Sequence, residues 1–355
     1  MGILRTLLAI TVVLGHTYGF LFVGGRNAVQ SFYMISGFLI SYVLVESKAY
    51  GRSLDFYVSR YLRLFPAYAL IALLTLLSYC LLGNNEFFAV YANLPFSATI
   101  VLFVSNSFIF LQDWVMFLGA SGSDLIFTSD FRNSDVLLWK GLLVPPAWTL
   151  GVELSFYLLA PFVLKRKNII YFTLAVSLLV RVVLYIFGLA NKDPWTYRFF
   201  PAELTMFMAG ALSHQLLLPV YRNLKLEGFG GIERLAKVVT TFLIIFVVMY
   251  HLIPVKDLYK MLFLFLFLFI ALPSAFLFQC NSGFDRKIGE LSYPIYISHM
   301  LVIFVLSKSS LSIFIEDKAI FAFIVVFLVV IVSVSLDYVV IKPIEGYRRA
   351  FRKNI

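Results

Sequence analysis

The chain has 355 residues, of which 61% are hydrophobic and only 14% charged, with a formal net charge of +10. Soluble domains carry roughly a quarter charged residues, so a soluble fold is excluded; apolar stretches of about 18 residues or more recur, enough to cross a ~30 Å hydrocarbon core at 1.5 Å per residue. The two cysteines, Cys80 and Cys280, exclude a disulfide framework and a cysteine-based zinc cluster, and the basic excess reads as positive-inside charge beside anionic lipid rather than as a nucleic-acid surface.

In chain order, apolar runs between charged or Gly/Pro-rich breaks fall at 3–20, 29–45, 64–82, 97–112, 146–164, 168–188, 199–218, 237–253, 259–279, 289–307 and 319–341. The first contains Arg5 and His16 and lacks a small-residue cleavage site, so it reads as a retained span rather than a signal peptide. Basic clusters follow at Lys48, Arg52, Arg60 and Arg63; at Lys165, Arg166 and Lys167; at Arg222, Lys225, Arg234 and Lys237; at Arg286 and Lys287; and at Lys342, Arg348, Arg349, Arg352 and Lys353. From Lys165 onward every second connection is basic, and the same alternation holds from the N-terminus to Arg63. The two halves agree when 97–112, the shortest run and one carrying Ser97, Ser105, Asn106 and Ser107, does not cross. That choice puts 19 of the 29 Lys and Arg residues inside, with Arg181 in mid-span. The expected fold is therefore all-α: a polytopic transmembrane helical bundle of about ten spans with an additional re-entrant or interfacial segment. Both termini are cytoplasmic, and residues 1–355 form a single domain. The connection 112–145, with Asp113, Asp124, Asp130 and Asp135, is expected on the outer side, and no internal repeat, heptad or low-complexity segment is present.

Charged groups inside spans cost about 2.5–3.5 kcal/mol on insertion scales and are functional candidates by default. His16 lies about 20 Å along the first span at helical rise. Arg5 precedes it by eleven residues, three turns plus about 20°, so the two share one stripe. A snorkelling arginine with a hydrogen-bonded core histidine fits that pattern as well as a site does. Arg60 and Arg63, in SRYLRLFP, share a helix face and suit either a phosphate or carboxylate clamp or ordinary anchoring. Glu153, in PPAWTLGVELSFY, needs a cation or donor, for which Arg5, His16, Arg181 and Arg198 are available; a carboxylate beside a histidine would make a workable general base. Arg181, Arg198 and Glu203 read as a structural ion-pair network or as the lining of a substrate path. His299, in LSYPIYISH, is the deepest of the remaining histidines; His214 and His251 lie near span ends, where a solvated histidine needs no function. No histidine pair has metal-ligand spacing on one helix face, so no metal is expected. Walker-type and G-x-S-x-G motifs are missing from the sequence.

LRTLLAITVVLGH (4–16), SFYMISGFLI (31–40), SRYLRLFP (59–66), PAWTLGVELSFYLLAPF (146–162) and IGELSYPIYISH (288–299), in this order and spacing, resemble the bacterial membrane acyltransferase-3 family over nearly the whole chain. The resemblance implies a multi-pass O-acetyltransferase of the bacterial inner membrane, moving acetyl from cytoplasmic acetyl-CoA to a hydroxyl of a surface or lipid-linked glycan. It carries Arg5 and His16 over as the arginine–histidine motif of the first span, and Arg60 and Arg63 as the R-x-x-R pair that handles CoA. Trp148 and Glu153 match the tryptophan and first glutamate of a W-S-L-x-x-E motif; Thr149 stands at its second position, and Leu154 replaces a frequent second acid. On this reading His16 and Glu153 are catalytic, Arg5, Arg60 and Arg63 bind acetyl-CoA, and Trp148, Arg181, Arg198 and His299 bind the acceptor. A fused SGNH-type hydrolase domain, present in some members, is not expected here. Partners are acetyl-CoA, the glycan acceptor and membrane lipid, with no nucleic acid; a homo-oligomer is left open. The competing reading is a transporter or exporter of a sugar or lipid-linked glycan, which polar groups at membrane depth would also serve.

Overall fold

In lipid, a backbone must satisfy its own N–H and C=O groups, so long apolar runs fold as helices. The computed structural model describes residues 1–47, 49–122, 124–226, 231–310 and 317–351. Of the basic clusters, Lys48, Arg352 and Lys353 lie outside the described residues.

The chain opens with α1 (Gly2–Thr17), α2 (Gly24–Ser41) and the 30-residue α3 (Ser53–Leu82). Two short helices, α4 (Asn85–Asn93) and α5 (Phe96–Phe108), lead into an irregular stretch, and α6 (Trp148–Val163) and α7 (Lys167–Ile186) follow it. Next come α8 (Phe200–Leu212), α9 (Leu218–Leu226), α10 (Ile232–Met249) and α11 (Asp257–Asn281). The chain finishes with α12 (Gly283–Glu290), α13 (Ser292–Lys308), α14 (Lys318–Leu336) and α15 (Lys342–Arg349). Among the described residues, nine helical runs are long and apolar enough to cross a membrane, and α1 and α5 are shorter apolar helices. The protein is a polytopic, almost entirely helical membrane bundle.

The 97–112 run forms α5 and then breaks. Ile109 and Leu111 adopt left-handed backbone conformations, φ +68° and +67°, which end the helix. Ser105, Asn106 and Gln112 are buried and bonded: Ser105 donates to the Leu102 carbonyl, Asn106 donates to the Gly141 carbonyl and accepts from the Leu143 amide, and Gln112 donates to the Tyr68 hydroxyl. The connection that follows departs from an all-α expectation. Leu118–Ser121 (β1) and Asp124–Phe127 (β2) pair as a small antiparallel hairpin. Its strands are four residues each, too short to register as a period-two pattern in a sequence dominated by helical runs.

Two contacts set the register of the central helices. A Cβ on Gly37 would lie 2.0 Å from the Phe207 carbonyl oxygen, and one on Gly210 would lie 1.9 Å from that of Met34. The glycine of SFYMISGFLI therefore lets α2 and α8 approach backbone to backbone, the usual device for close helix pairs in lipid. At one end of the bundle, Asp285 accepts hydrogen bonds from the Gly2 and Ile3 amides, and Thr6 donates to the Ile288 carbonyl. These bonds satisfy the free N–H groups that begin α1 and pin it to α12, which fixes where Arg5 stands.

Candidate active site

Where α1, α2, α3, α6 and α13 converge, they enclose a cavity of about 90 Å³, several times the roughly 10–15 Å³ that one water needs. Its polar wall includes Arg5 from α1, Arg60 and Arg63 from α3, Glu153 and Tyr157 from α6, and Tyr296 from α13. Val29, Ile35, Leu39, Ile40, Leu64 and Leu150 supply much of the apolar remainder. The i, i+3 spacing of Arg60 and Arg63 puts both on the cavity side of α3. The helix starts at Ser53, so the pair sits two turns or more within it rather than at its mouth.

Glu153 is the lone carboxylate of this wall, among three guanidinium groups. Ser36 donates to it at 2.7 Å, and the Tyr157 hydroxyl donates to the same oxygen. Arg5 lies within electrostatic reach of both Arg63 and Glu153, and Tyr157 within reach of Arg60 and Arg63. With two formal positive charges in excess, the cavity favours an anion, and the planar guanidinium forks suit phosphate or carboxylate oxygens.

His16 stands apart from this cluster. It is exposed in the last turn of α1, and its ring neighbour is His299, with centroids 5.2 Å apart. His299 is fully buried. Its Nδ1 lies 2.7 Å from the Tyr296 carbonyl oxygen, which can only accept, so Nδ1 carries the hydrogen and Nε2 keeps its lone pair. No donor among the described residues meets that Nε2. Tyr296 connects the two regions: its side chain lines the cavity and its ring is 6.0 Å from that of His299.

Arg198 lies within electrostatic reach of His16. Its guanidinium is 4.3 Å from the centre of the Trp148 ring and is held by Asp193 at 2.6 Å. Tyr197 packs edge-on against the same indole at 5.2 Å. His16, His299, Trp148 and Arg198 thus gather near one end of the cavity. The structure does not bring Glu153 to His16; the hydrogen bonds of Glu153 go to Ser36 and Tyr157.

Arg181 and Glu203 form a separate cluster. They pair at 2.8 Å, Arg181 also donates to the Ala202 carbonyl, and Gln30 donates to Glu203. Neither residue lines the cavity. His214, read from sequence as a solvated residue near a span end, is buried, with Nδ1 2.9 Å from the Ser41 hydroxyl and Nε2 3.2 Å from Glu46. The correction has a local cause: the π-helical turns Tyr42–Glu46 and Ser213–Leu217, which continue α2 and α8, meet across the helix pair. Among the described residues, no group of three or more His, Cys, Asp and Glu residues is placed to hold a metal ion.

Sequence reasoning missed Ser36, Tyr157, Tyr293 and Tyr296. Tyr157 carried a signal, since it lies four residues after Glu153 on one helix face. The others lie within the motifs SFYMISGFLI and IGELSYPIYISH, on helices far from Glu153 in the chain, and nothing in those motifs points to a contact with Glu153.

Residues 1–338 match the acyltransferase-3 family model, described as an acyltransferase domain. The chain belongs to the acyltransferase-3 family. It is therefore an acyltransferase, and its long apolar helices make it a multi-pass protein of the bacterial inner membrane. The match spans the cavity, the His16–His299 pair and the Trp148–Arg198 stack. This acyltransferase is also similar to an uncharacterized protein of Aquifex aeolicus (strain VF5), 27% identical over 223 residues, which cover 60% of this chain and 90% of that relative. No solved structure matches it.

Proposed function

We propose that this acyltransferase moves acetyl from cytoplasmic acetyl-CoA to a hydroxyl of a surface or lipid-linked glycan. The observation that carries the reading is the single cavity wall in which Arg5, Arg60 and Arg63 outnumber Glu153, joined through Tyr296 to the His16–His299 pair. A cation-rich cavity suits the phosphates of CoA. A histidine at the far end suits the hydroxyl that must lose a proton. At helical rise, Arg5 and His16 differ in depth by about 16 Å, a gap that an extended pantetheine arm can bridge. With ten spans and cytoplasmic termini, the arginines face the donor's side and His16 the acceptor's.

In this scheme Arg60 and Arg63 grip the phosphates, and Arg5 completes the cationic wall. Glu153 keeps three cations tolerable in one cavity and holds Tyr157 and Ser36 in place. His16 takes the proton from the acceptor hydroxyl as general base. The lone pair on His299 Nε2 gives the His16 ring a neutral neighbour that raises no charge repulsion when His16 becomes imidazolium. Trp148, buried with Arg198 stacked on its ring, holds that cation near His16 for the acceptor sugar, while Arg181, closed into its own cluster, contributes to packing.

The test is acetyl transfer by purified protein in lipid nanodiscs, supplied with acetyl-CoA and surface glycan, with acetylation read by mass spectrometry. We expect His16→Ala to abolish transfer while acetyl-CoA binding persists. Normal glycan acetylation by that variant would sink the assignment. Glycan movement across the membrane without acetyl-CoA binding would instead favour an exporter.

A further inference from the structure

The cavity wall contains several hydroxyl groups, and all but one are spoken for. Ser36 and Tyr157 donate to Glu153, Thr149 and Tyr296 to the Pro146 carbonyl, Ser292 to the Gly289 carbonyl, and Tyr293 to the Leu64 carbonyl. Tyr33 is the exception. It is 3% exposed and part of the same wall, and its hydroxyl meets no partner among the described residues. Two other orphaned polar atoms on α2, Gln30 Oε1 and Arg26 Nε, belong to residues that do not line the cavity.

A buried hydroxyl without an acceptor costs about 1–3 kcal/mol, and phenylalanine would fill the same space without that cost. Tyr33 stacks on Phe207 with ring centroids 4.8 Å apart, a contact that a phenyl ring makes equally well. Packing therefore accounts for the ring and leaves the hydroxyl unexplained. Its position explains it better. Tyr33 lines the same cavity as the arginine cluster and as Tyr296, the side chain that leads to His299 and His16, and it lies within electrostatic reach of Glu203, Tyr296, Asp113 and Glu153. The acyl thioester of a CoA whose phosphates are held by Arg60 and Arg63, attacked by a hydroxyl activated at His16, must place its carbonyl in that cavity.

We infer that Tyr33 is a catalytic residue whose O–H donates a hydrogen bond to the carbonyl oxygen of the acyl thioester. The inference rests on the acyl-transfer reading above. In the step it serves, the acceptor oxygen bonds to the carbonyl carbon, and the C=O electron pair moves onto oxygen, where Tyr33 stabilises the negative charge. The pair then returns, the C–S bond breaks, and CoA leaves as a thiolate that collects the proton taken by His16. A preplaced donor that costs no reorganisation at the moment of charge development is the most effective kind.

The experiment compares wild type with Tyr33→Phe, which keeps the ring and its stacking. Loss of one oxyanion donor lowers kcat by about 10²–10³-fold in other acyl transfers, and we expect a fall of that size with acetyl-CoA affinity unchanged. In the complex with acetyl-CoA labelled with ¹³C at the carbonyl, the infrared C=O stretch should move to higher frequency in the variant, because the hydrogen bond that weakens the bond is gone. An unchanged kcat, an effect confined to KM, or an unshifted carbonyl band overturns the role of Tyr33 while leaving acyl transfer intact. Wild-type protein that neither binds acetyl-CoA nor transfers acetyl would instead overturn the reading on which it rests.

Discussion

The cavity and the Arg181–Glu203 cluster both place charges among apolar helices, where each costs about 2.5–3.5 kcal/mol on insertion scales, yet they resolve that cost differently. Around Glu203 the space is filled by protein: Arg181 pairs at 2.8 Å, Gln30 adds a further donor, Arg26 lies within electrostatic reach, and Glu203 is fully buried. Around Glu153, three guanidinium groups share one carboxylate beside open space. In the first arrangement the carboxylate is closed in by protein donors. The second borders a cavity with room for an anion among its cations, and that space, rather than the mere presence of intramembrane charge, separates a site from an internal brace.

The contrast can be broken most directly at the arginines. At about 1.5–3 kcal/mol for each charge-assisted hydrogen bond, replacing Arg60 and Arg63 together by glutamine should weaken acetyl-CoA binding by about 10²–10⁴-fold. Isothermal titration in detergent measures this, and unaltered affinity would remove the cavity's claim to the donor. The opposite pattern is expected at the brace. Glu203→Gln leaves Arg181 without its counter-charge and should lower stability by on the order of 3 kcal/mol, read as an earlier thermal unfolding transition, while the folded fraction binds acetyl-CoA as before. Loss of binding at unchanged stability would show that the two regions are one site.

A smaller effect sharpens the comparison outside the spanning helices. Asp113, in the connection after α5, is 3% exposed and packs on Gly151 of α6, where an added Cβ would lie 2.5 Å from its Oδ1. Burial pushes its carboxyl up to about 7, against backbone amides of Asp113 and Trp114 that pull the other way. The folded protein then holds a proton that the unfolded chain releases, so stability falls as pH rises from about 4 to about 7. Asp113→Asn should flatten that portion of the thermal-stability profile. An unchanged slope between pH 5 and 7 in the variant would place the proton elsewhere.

Several features of the site were legible in the chain and several were not. The shared stripe of Arg5 and His16 and the common face of Arg60 and Arg63 follow from helical periodicity, because each pair lies on one helix. Glu153 was visible as a carboxylate in an apolar run, but its partners were not: Ser36 lies 117 positions away, on α2. The proximity of His16 to His299 was equally hidden, since they meet where the last turn of α1 packs against α13. The start of α3 at Ser53 was obscured for a related reason. Reading apolar runs trims a span at its first charges, whereas the helix continues through Arg60 and Arg63 because the cavity gives their side chains somewhere polar to go.

Composition and apolar run length determined by themselves that this is a polytopic helical membrane protein, because a backbone in lipid has few other ways to satisfy its hydrogen bonds. The ordered motifs were enough to point to its family. Only the tertiary structure decided which intramembrane charges neutralise one another and which surround a space. It separated Arg181 from the site, set Glu153 among arginines rather than beside His16, and left Tyr33 as the cavity wall's hydroxyl without a partner among the described residues. Those outcomes depend on helix register, fixed by close contacts such as Gly37 against Phe207 and Gly210 against Met34, and register arises from packing between segments that no local pattern encodes.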